Sequence, residues 1–185
     1  ENISISVNGP ISVGGGDELP FQVSVANQNT VPIQSATLII EYPRGSRNSV
    51  DGKEITVERK QLDEVQAGEL LNIPLSVRVF GEENEEKEVK ISIDYRVTGS
   101  NATFHKVSDP LKFKVSTSPI VMTFETQKTV TSGQDIELKL NVQSNSPTPL
   151  TDILVKVMYP AGFDFSESSP ETSSGEDVWK LATLK

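Results

Sequence analysis

The chain has 185 residues, is 35% hydrophobic and 23% charged, lacks cysteine and carries a formal net charge of −9, which leaves room for one large or two small domains of ordinary globular composition. Binding a nucleic-acid backbone or an anionic membrane needs clustered Lys and Arg, yet the chain is acidic on both sides of residue 117, at −5 and −4. The missing cysteines remove disulfides, thiolate metal sites and a thiol nucleophile, and no run of about 18 apolar residues offers a membrane-spanning helix.

The chain opens on "ENISISV", without initiator Met or leader, and reads as a segment of something longer. Its first predicted strand is "NISISVN". "VGGGDE" follows, a glycine run before a strand that predicts a bend rather than a phosphate-binding loop, since no helix follows to bind an anion. Leu19, Phe21, Val23 and Val25 then alternate with polar or small residues, placing the apolar set on one face of a strand. Ala36, Leu38, Ile40 and Tyr42 do the same, and "YPRG" stops that strand because proline gives the ladder no N–H. Asp51-Gly52 predicts a tight turn into "GKEITVERK". Leu71, Ile73, Leu75, Val77 and Val79 form the next apolar face, with Pro74 pointing the other way and marking an edge. Val89, Ile91, Ile93, Tyr95 and Val97 form another, and Leu111, Phe113 and Val115 the last. No stretch carries helical periodicity. About seven short strands in roughly 115 residues predict an immunoglobulin-like β-sandwich, without the Cys pair and Trp of antibody domains.

After Thr117-Ser118-Pro119, a joint short enough to restrict motion, the pattern begins again. Shifted by 117, residues 3–46 align without a gap on 120–163, with eight identities: Ile3/Ile120, Val13/Val130, Gly16/Gly133, Val25/Val142, Pro32/Pro149, Tyr42/Tyr159, Pro43/Pro160 and Gly45/Gly162. Ile136, Leu138, Leu140 and Val142 repeat the alternation of Leu19 to Val25, and Ile153, Val155, Val157 and Tyr159 that of Ala36 to Tyr42. A one-residue slip would turn every one of these to water, so a kept register means a kept core. The expectation is therefore an all-β chain of tandem immunoglobulin-like β-sandwiches. Residues 1–117 make the first; residues 118–185 make the N-terminal part of a second, homologous one, incomplete in this chain by roughly fifty residues that a continuing polypeptide would supply.

The second copy resembles a family of prokaryotic surface repeats in which a strand ends in Pro-Ala-Gly-Phe (Pro160 to Phe163) and a Ser/Pro-rich loop leads to a Trp-x-x-x-x-Leu strand (Trp179 to Leu184). The first copy is similar, more loosely, to adhesion-type bacterial and archaeal immunoglobulin-like domains. The resemblance implies an extracellular or cell-surface protein of several domains and brings no catalytic residue with it.

Candidate chemistry is sparse. His105, in "TFHKV", is the sole histidine and reads as a surface or packing residue. The acidic run 81–88 holds Glu82, Glu83, Glu85, Glu86 and Glu88 but lacks the Asp-rich grammar of a calcium loop, and reads as a solvated hairpin tip. Residues 166–177 read as a mobile surface loop. "NIS" at 2–4 and "NAT" at 101–103 match the glycan acceptor pattern. Trp179 reads as core rather than a sugar platform. Lys90, Lys112 and Lys139 fall on polar faces, away from the buried setting an internal Lys–Asn isopeptide bond needs. No catalytic, cofactor or metal site is expected, and no cofactor. The functional expectation is a non-enzymatic structural spacer of a larger prokaryotic cell-surface or secreted protein, its partners being neighbouring domains of the same chain. The alternatives are an adhesin-type module binding a glycan or protein through loops or an exposed sheet, and an accessory domain of an extracellular enzyme.

Overall fold

The computed structural model describes residues 2–185, which form strands, turns and bends and no helix. They divide into two compact units, the first running to Pro119 and the second spanning Ile120–Lys185.

In the first unit the strands are β1 (Ile3–Asn8), β2 (Ser12–Val13), β3 (Glu18–Asn27), β4 (Ile33–Glu41), β5 (Ser46–Arg47), β6 (Val57–Gln61), β7 (Leu70–Val79), β8 (Glu86–Val97), β9 (Thr103–Val107) and β10 (Leu111–Val115). One sheet runs β1-β3-β7-β5; the other runs β2-β10-β8-β4-β6, with β9 also on β8. Ten segments stand where about seven were expected, because the first and last strands are each broken and the two-residue β5 adds one more. The chain leaves the first sheet after β1 and joins the second as β2, parallel to β10. The final strand breaks at Ser108-Asp109-Pro110, where proline cannot donate to the ladder, so β9 and β10 occupy successive stretches of β8.

Alternation carries the core. Leu19, Val23 and Val25 of β3, Leu38 and Ile40 of β4, Val77 and Val79 of β7, and Val89, Ile91 and Ile93 of β8 are all fully buried. Both sheets feed one cluster, and each such side chain contributes roughly 1.5–3 kcal/mol by leaving water. The apolar period shifts in β4: Ile33 and Ala36 are both buried although three apart. A bulge between Gln34 and Thr37, with Ser35 at φ 52°, absorbs the extra residue and keeps both inside. Pro74 lies exposed on β7, opposite Gln22 on β3; the partner on its other side, β5, reaches only Val79 and Arg78. At that point β7 is an edge and proline costs no bond.

The Gly14–Gly16 run makes the expected bend and also seats the end of the unit. Gly15 N–H donates to Thr117 O at 3.0 Å and Gly16 N–H to Val79 O at 2.7 Å. A Cβ at Gly15 would sit 2.7 Å from both Thr117 O and Pro119 Cδ, so only glycine allows the close approach.

The second unit has β11 (Ile120–Glu125) paired with β12 (Lys139–Ser144), and β13 (Leu154–Lys156) paired with β14 (Val178–Lys180). β12 starts three residues later than the alternation from Ile136 predicts, and β13 stops short of the Tyr159-Pro160 signal. Its internal geometry repeats the first unit's. β11 and β1 cover equivalent residues, and Ile120↔Ser144 reproduces Ile3↔Asn27 at the offset of 117. The bridge Leu150↔Leu184 corresponds to Ile33↔Val65, and Leu154↔Lys180 to Thr37↔Gln61 with two extra residues in the loop between. An even insertion keeps every side chain on its face. The left-handed positions recur too: Ser35 at φ 52° and Asp152 at 57°, Gly16 at 90° and Gly133 at 80°, Gly45 at 82° and Gly162 at 90°.

Candidate functional site

The residues flagged by sequence are spread over both units rather than gathered, with Asn2, Lys90, Asn101, His105 and Lys112 in the first and Lys139 and Trp179 in the second. His105 is exposed on β9 and its Nδ1 lies 2.7 Å from Asp94 Oδ1, the residue it faces across the β8–β9 ladder. Asn2 and Asn101 are both exposed, Asn101 beside the turn that joins β8 to β9. Lys90, Lys112 and Lys139 are exposed. Among the described residues no group of three or more His, Asp or Glu side chains converges as a metal would require.

The acidic run forms the tip between β7 and β8, held by backbone bonds from Asn84 N to Val115 O at 2.7 Å and from Val115 N to Glu85 O at 2.9 Å. Within it lies a residue the alternation argument did not single out. Lys87 has its side chain almost wholly buried, and Nζ donates to Glu85 Oε1 at 2.8 Å and to Arg44 O at 2.9 Å. The Lys87 ammonium, helped by the Glu82 N–H, holds the Glu85 carboxyl below the usual glutamate range. The signal was available: Lys87 shares the parity of Val89, Ile91 and Ile93. A second, part-buried polar pair joins the sheet edge, Tyr42 Oη donating to Glu58 Oε2 at 2.7 Å. Burial, then the hydrogen bond to Glu58 and its charge, raises the Tyr42 phenol far above its ordinary value. Both pairs fasten strands, and Tyr42, Glu85 and Lys87 border one shallow, open depression together with Glu41, Pro43 and Lys90.

The second unit presents the less ordinary surface. Its loop 166–177 is folded back on Trp179, whose indole N–H donates to Pro170 O at 3.1 Å and reaches Ser168 Oγ at 3.3 Å. Thr172 Oγ1 donates to Gly175 O, Lys180 N to Ser173 Oγ, and Tyr159 Oη to Glu176 O. The loop expected to be mobile is thus tied by its own hydroxyls, and Trp179 is half-buried with its polar edge already used. In the same unit, the face built by β11 and β12 is apolar and open. Met122 and Phe124 pair with Val142 and Leu140, and Leu138 extends the same stripe. Met122, Phe124 and Leu138 are 59%, 61% and 46% exposed.

No protein-family model matches the chain, and comparison with curated proteins gives no match. Among solved structures, the chain is similar to Spo0M, the sporulation control protein of Bacillus subtilis, at 12% identity and a TM-score of 0.36, over 78% of this chain and 68% of that one. It is similar to a chaperone–tip adhesin complex of CFA/I fimbriae at 12% identity and a TM-score of 0.29, over 98% of this chain and 83% of the other. The CsuC–CsuE chaperone–tip adhesion subunit complex of Acinetobacter baumannii gives 9% identity and a TM-score of 0.29, over 98% and 85%. Likeness of this degree carries no function across.

Proposed function

We propose that this chain is a non-catalytic structural module: tandem immunoglobulin-like β-sandwich units of a prokaryotic cell-surface or secreted protein, spacing or presenting what they are joined to. The observation that carries the reading is the matched strand register and matched left-handed positions in the two units at one offset. Repetition of a unit serves length and presentation, whereas a catalytic site needs convergent groups at one place. No helix among the described residues is long and apolar enough to cross a membrane.

The first unit also has the strand arrangement a tension-bearing module needs. Its first and last strands meet in parallel, with Lys114 N–H donating to Ile11 O at 3.0 Å and Ser116 N–H to Val13 O at 2.9 Å. A pull on the two ends therefore loads these bonds together in shear instead of opening them one after another.

Single-molecule stretching of the chain by its termini tests the reading. The first unit is expected to unfold in one step, and Ser116→Pro, which removes one shear-loaded donor, to lower the unfolding force while costing only about 1 kcal/mol at equilibrium. An unchanged force in Ser116→Pro would count against the spacer. So would capture of a glycan or protein ligand that is lost when residues 164–177 are replaced, which would favour the adhesin reading.

A further inference from the structure

We propose that the first unit pairs with a second copy of this chain, edge to edge along β1, the two strands running antiparallel about a twofold axis at Ile5. The inference stands on the strands of the first unit and goes beyond the spacer role, which it does not need.

β1 ends the sheet β1-β3-β7-β5 and has β3 as its neighbour there. Gln28 N–H donates to Asn2 O at 2.7 Å and Asn2 N–H to Asn29 Oδ1 at 3.0 Å, which fixes the parity of the ladder. Asn2 and, at steps of two, Ser4, Ser6 and Asn8 turn their main-chain groups to β3; Ile3, Ile5 and Val7 turn theirs to the open side. That open side belongs to the pattern of the unit. The later strands of the first unit all lie elsewhere in the two sheets. The equivalent β11, with a whole unit before it in the chain, belongs to a two-stranded sheet with β12.

Exposed sheet edges invite pairing, and the other ends of these sheets carry the devices that prevent it. β2 and β5 are two residues long, and Pro74 sits on the stretch of β7 that β5 leaves open. β6 carries Glu58, Arg59 and Lys60 in succession, and β9 carries His105 and Lys106. β1 has none of these. It is six residues long, without charge, proline or bulge.

The sequence of β1 selects a second copy as the occupant. Antiparallel pairing centred on Ile5 sets Ile3 opposite Val7, Ile5 opposite Ile5 and Ser4 opposite Ser6. The residues whose main-chain groups face outward then meet one another and exchange both bonds. Hydrogen-bond parity, the apolar face and the serine face all agree in that one register. Charge points the same way. The first unit is acidic, at −5, so copies repel over most of their surface, yet β1 is uncharged and Glu18 is the only charge on β3 beside it. A contact one strand long, about 20 Å, stays below the roughly 1,200 Å2 of a stable complex. The pair is therefore transient in solution and gains strength where copies are held side by side.

Sedimentation of the full chain from dilute to millimolar concentration, with amide exchange read by NMR, tests this. The chain is expected to pass from monomer to dimer as concentration rises. The Ile3, Ile5 and Val7 amides are expected to slow with it, by about tenfold when about nine-tenths of the chain is paired, while Ser4 and Ser6 stay slow throughout. Ile5→Pro removes a donor from the open side and none from the β3 ladder, and Val7→Lys adds a charge to the edge. Each is expected to abolish the dimer in a chain whose circular dichroism is unchanged. Because the chain has no cysteine, Ile5→Cys reads the register: on the axis it is expected to oxidise to a linked dimer roughly tenfold faster than Ser4→Cys, which faces Ser6 and not its own copy. A monomer at millimolar concentration overturns the proposal. So does a dimer in which Ile3, Ile5 and Val7 exchange as in the monomer, or one that Val7→Lys leaves intact, or equal oxidation of the two cysteine variants. Protection of those three amides in a monomer also overturns it, the occupant then being a segment of the same chain.

Discussion

Asn27 reaches from the end of β3 into a buried gap between loops. Its Nδ2 donates to Val31 O, Val65 O and Gln66 O at 3.0–3.1 Å, and its Oδ1 accepts from Asn29 N–H and Nδ2. Replacing it removes the side-chain donor to Val31 O and Gln66 O and one of two donors to Val65 O, which also accepts from Ile33 N–H, so Asn27→Ala is expected to cost about 2 kcal/mol, read as a lower urea midpoint with unchanged slope. Ser46 is the converse. Its Oγ is fully buried without a hydrogen-bond partner, and Ser46→Ala is expected to raise stability by about 1 kcal/mol in the same assay. Glu85 supplies the pH dependence. Its carboxyl is held below the ordinary glutamate value by Lys87, so what it contributes is present above pH ~4.3 and lost as pH falls through the depressed value. A carboxyl NMR titration should place its midpoint below that of a free glutamate, and Lys87→Gln should move it upward.

Strands carry the next level. Phe21 and Leu138 occupy equivalent places on β3 and just before β12, yet one is buried beneath a second sheet and the other half-open. Phe21→Ala should therefore cost about 3–5 kcal/mol, as a large core truncation does. Leu138→Ala should cost under ~1 kcal/mol because little area returns to water. Similar losses at the two sites, measured in urea, would contradict the asymmetry. The apolar alternation made both positions legible as inward-facing. It could not show that only one has something to face, since the sheet opposite Phe21 is built from strands that come later in the chain, β4, β8 and β10 among them. The bulge at Ser35 was equally hidden, because serine does not announce a positive φ, whereas Asp152 at the equivalent place is of a type that adopts it more readily.

At the scale of the whole molecule, the unequal cores predict unequal stability. The first unit has a continuous two-sheet interior; in the second, only Leu150 and Val155 are buried hydrophobics. Trp179 is the only tryptophan and lies in the second unit, so its fluorescence reports that unit alone. The fluorescence midpoint in urea should fall below the far-UV circular dichroism midpoint, which the ten strands of the first unit dominate. Coincident transitions would show one cooperative body instead.

By itself the amino-acid sequence determined the local terms: strands from period-two alternation, turns from glycine and proline, acidity on both sides of residue 117, and the 117-residue offset at which the pattern recurs. Each rests on neighbours a few residues apart, where steric rules act directly. The tertiary structure decided the rest. It split the outer strands between two sheets, buried Lys87 and Asn27 among partners distant in sequence, and tied loop 166–177 to Trp179. It also left the face of β12 uncovered. Those outcomes depend on which elements meet, and that is settled by closing long loops around a shared apolar interior rather than by any residue's own preference.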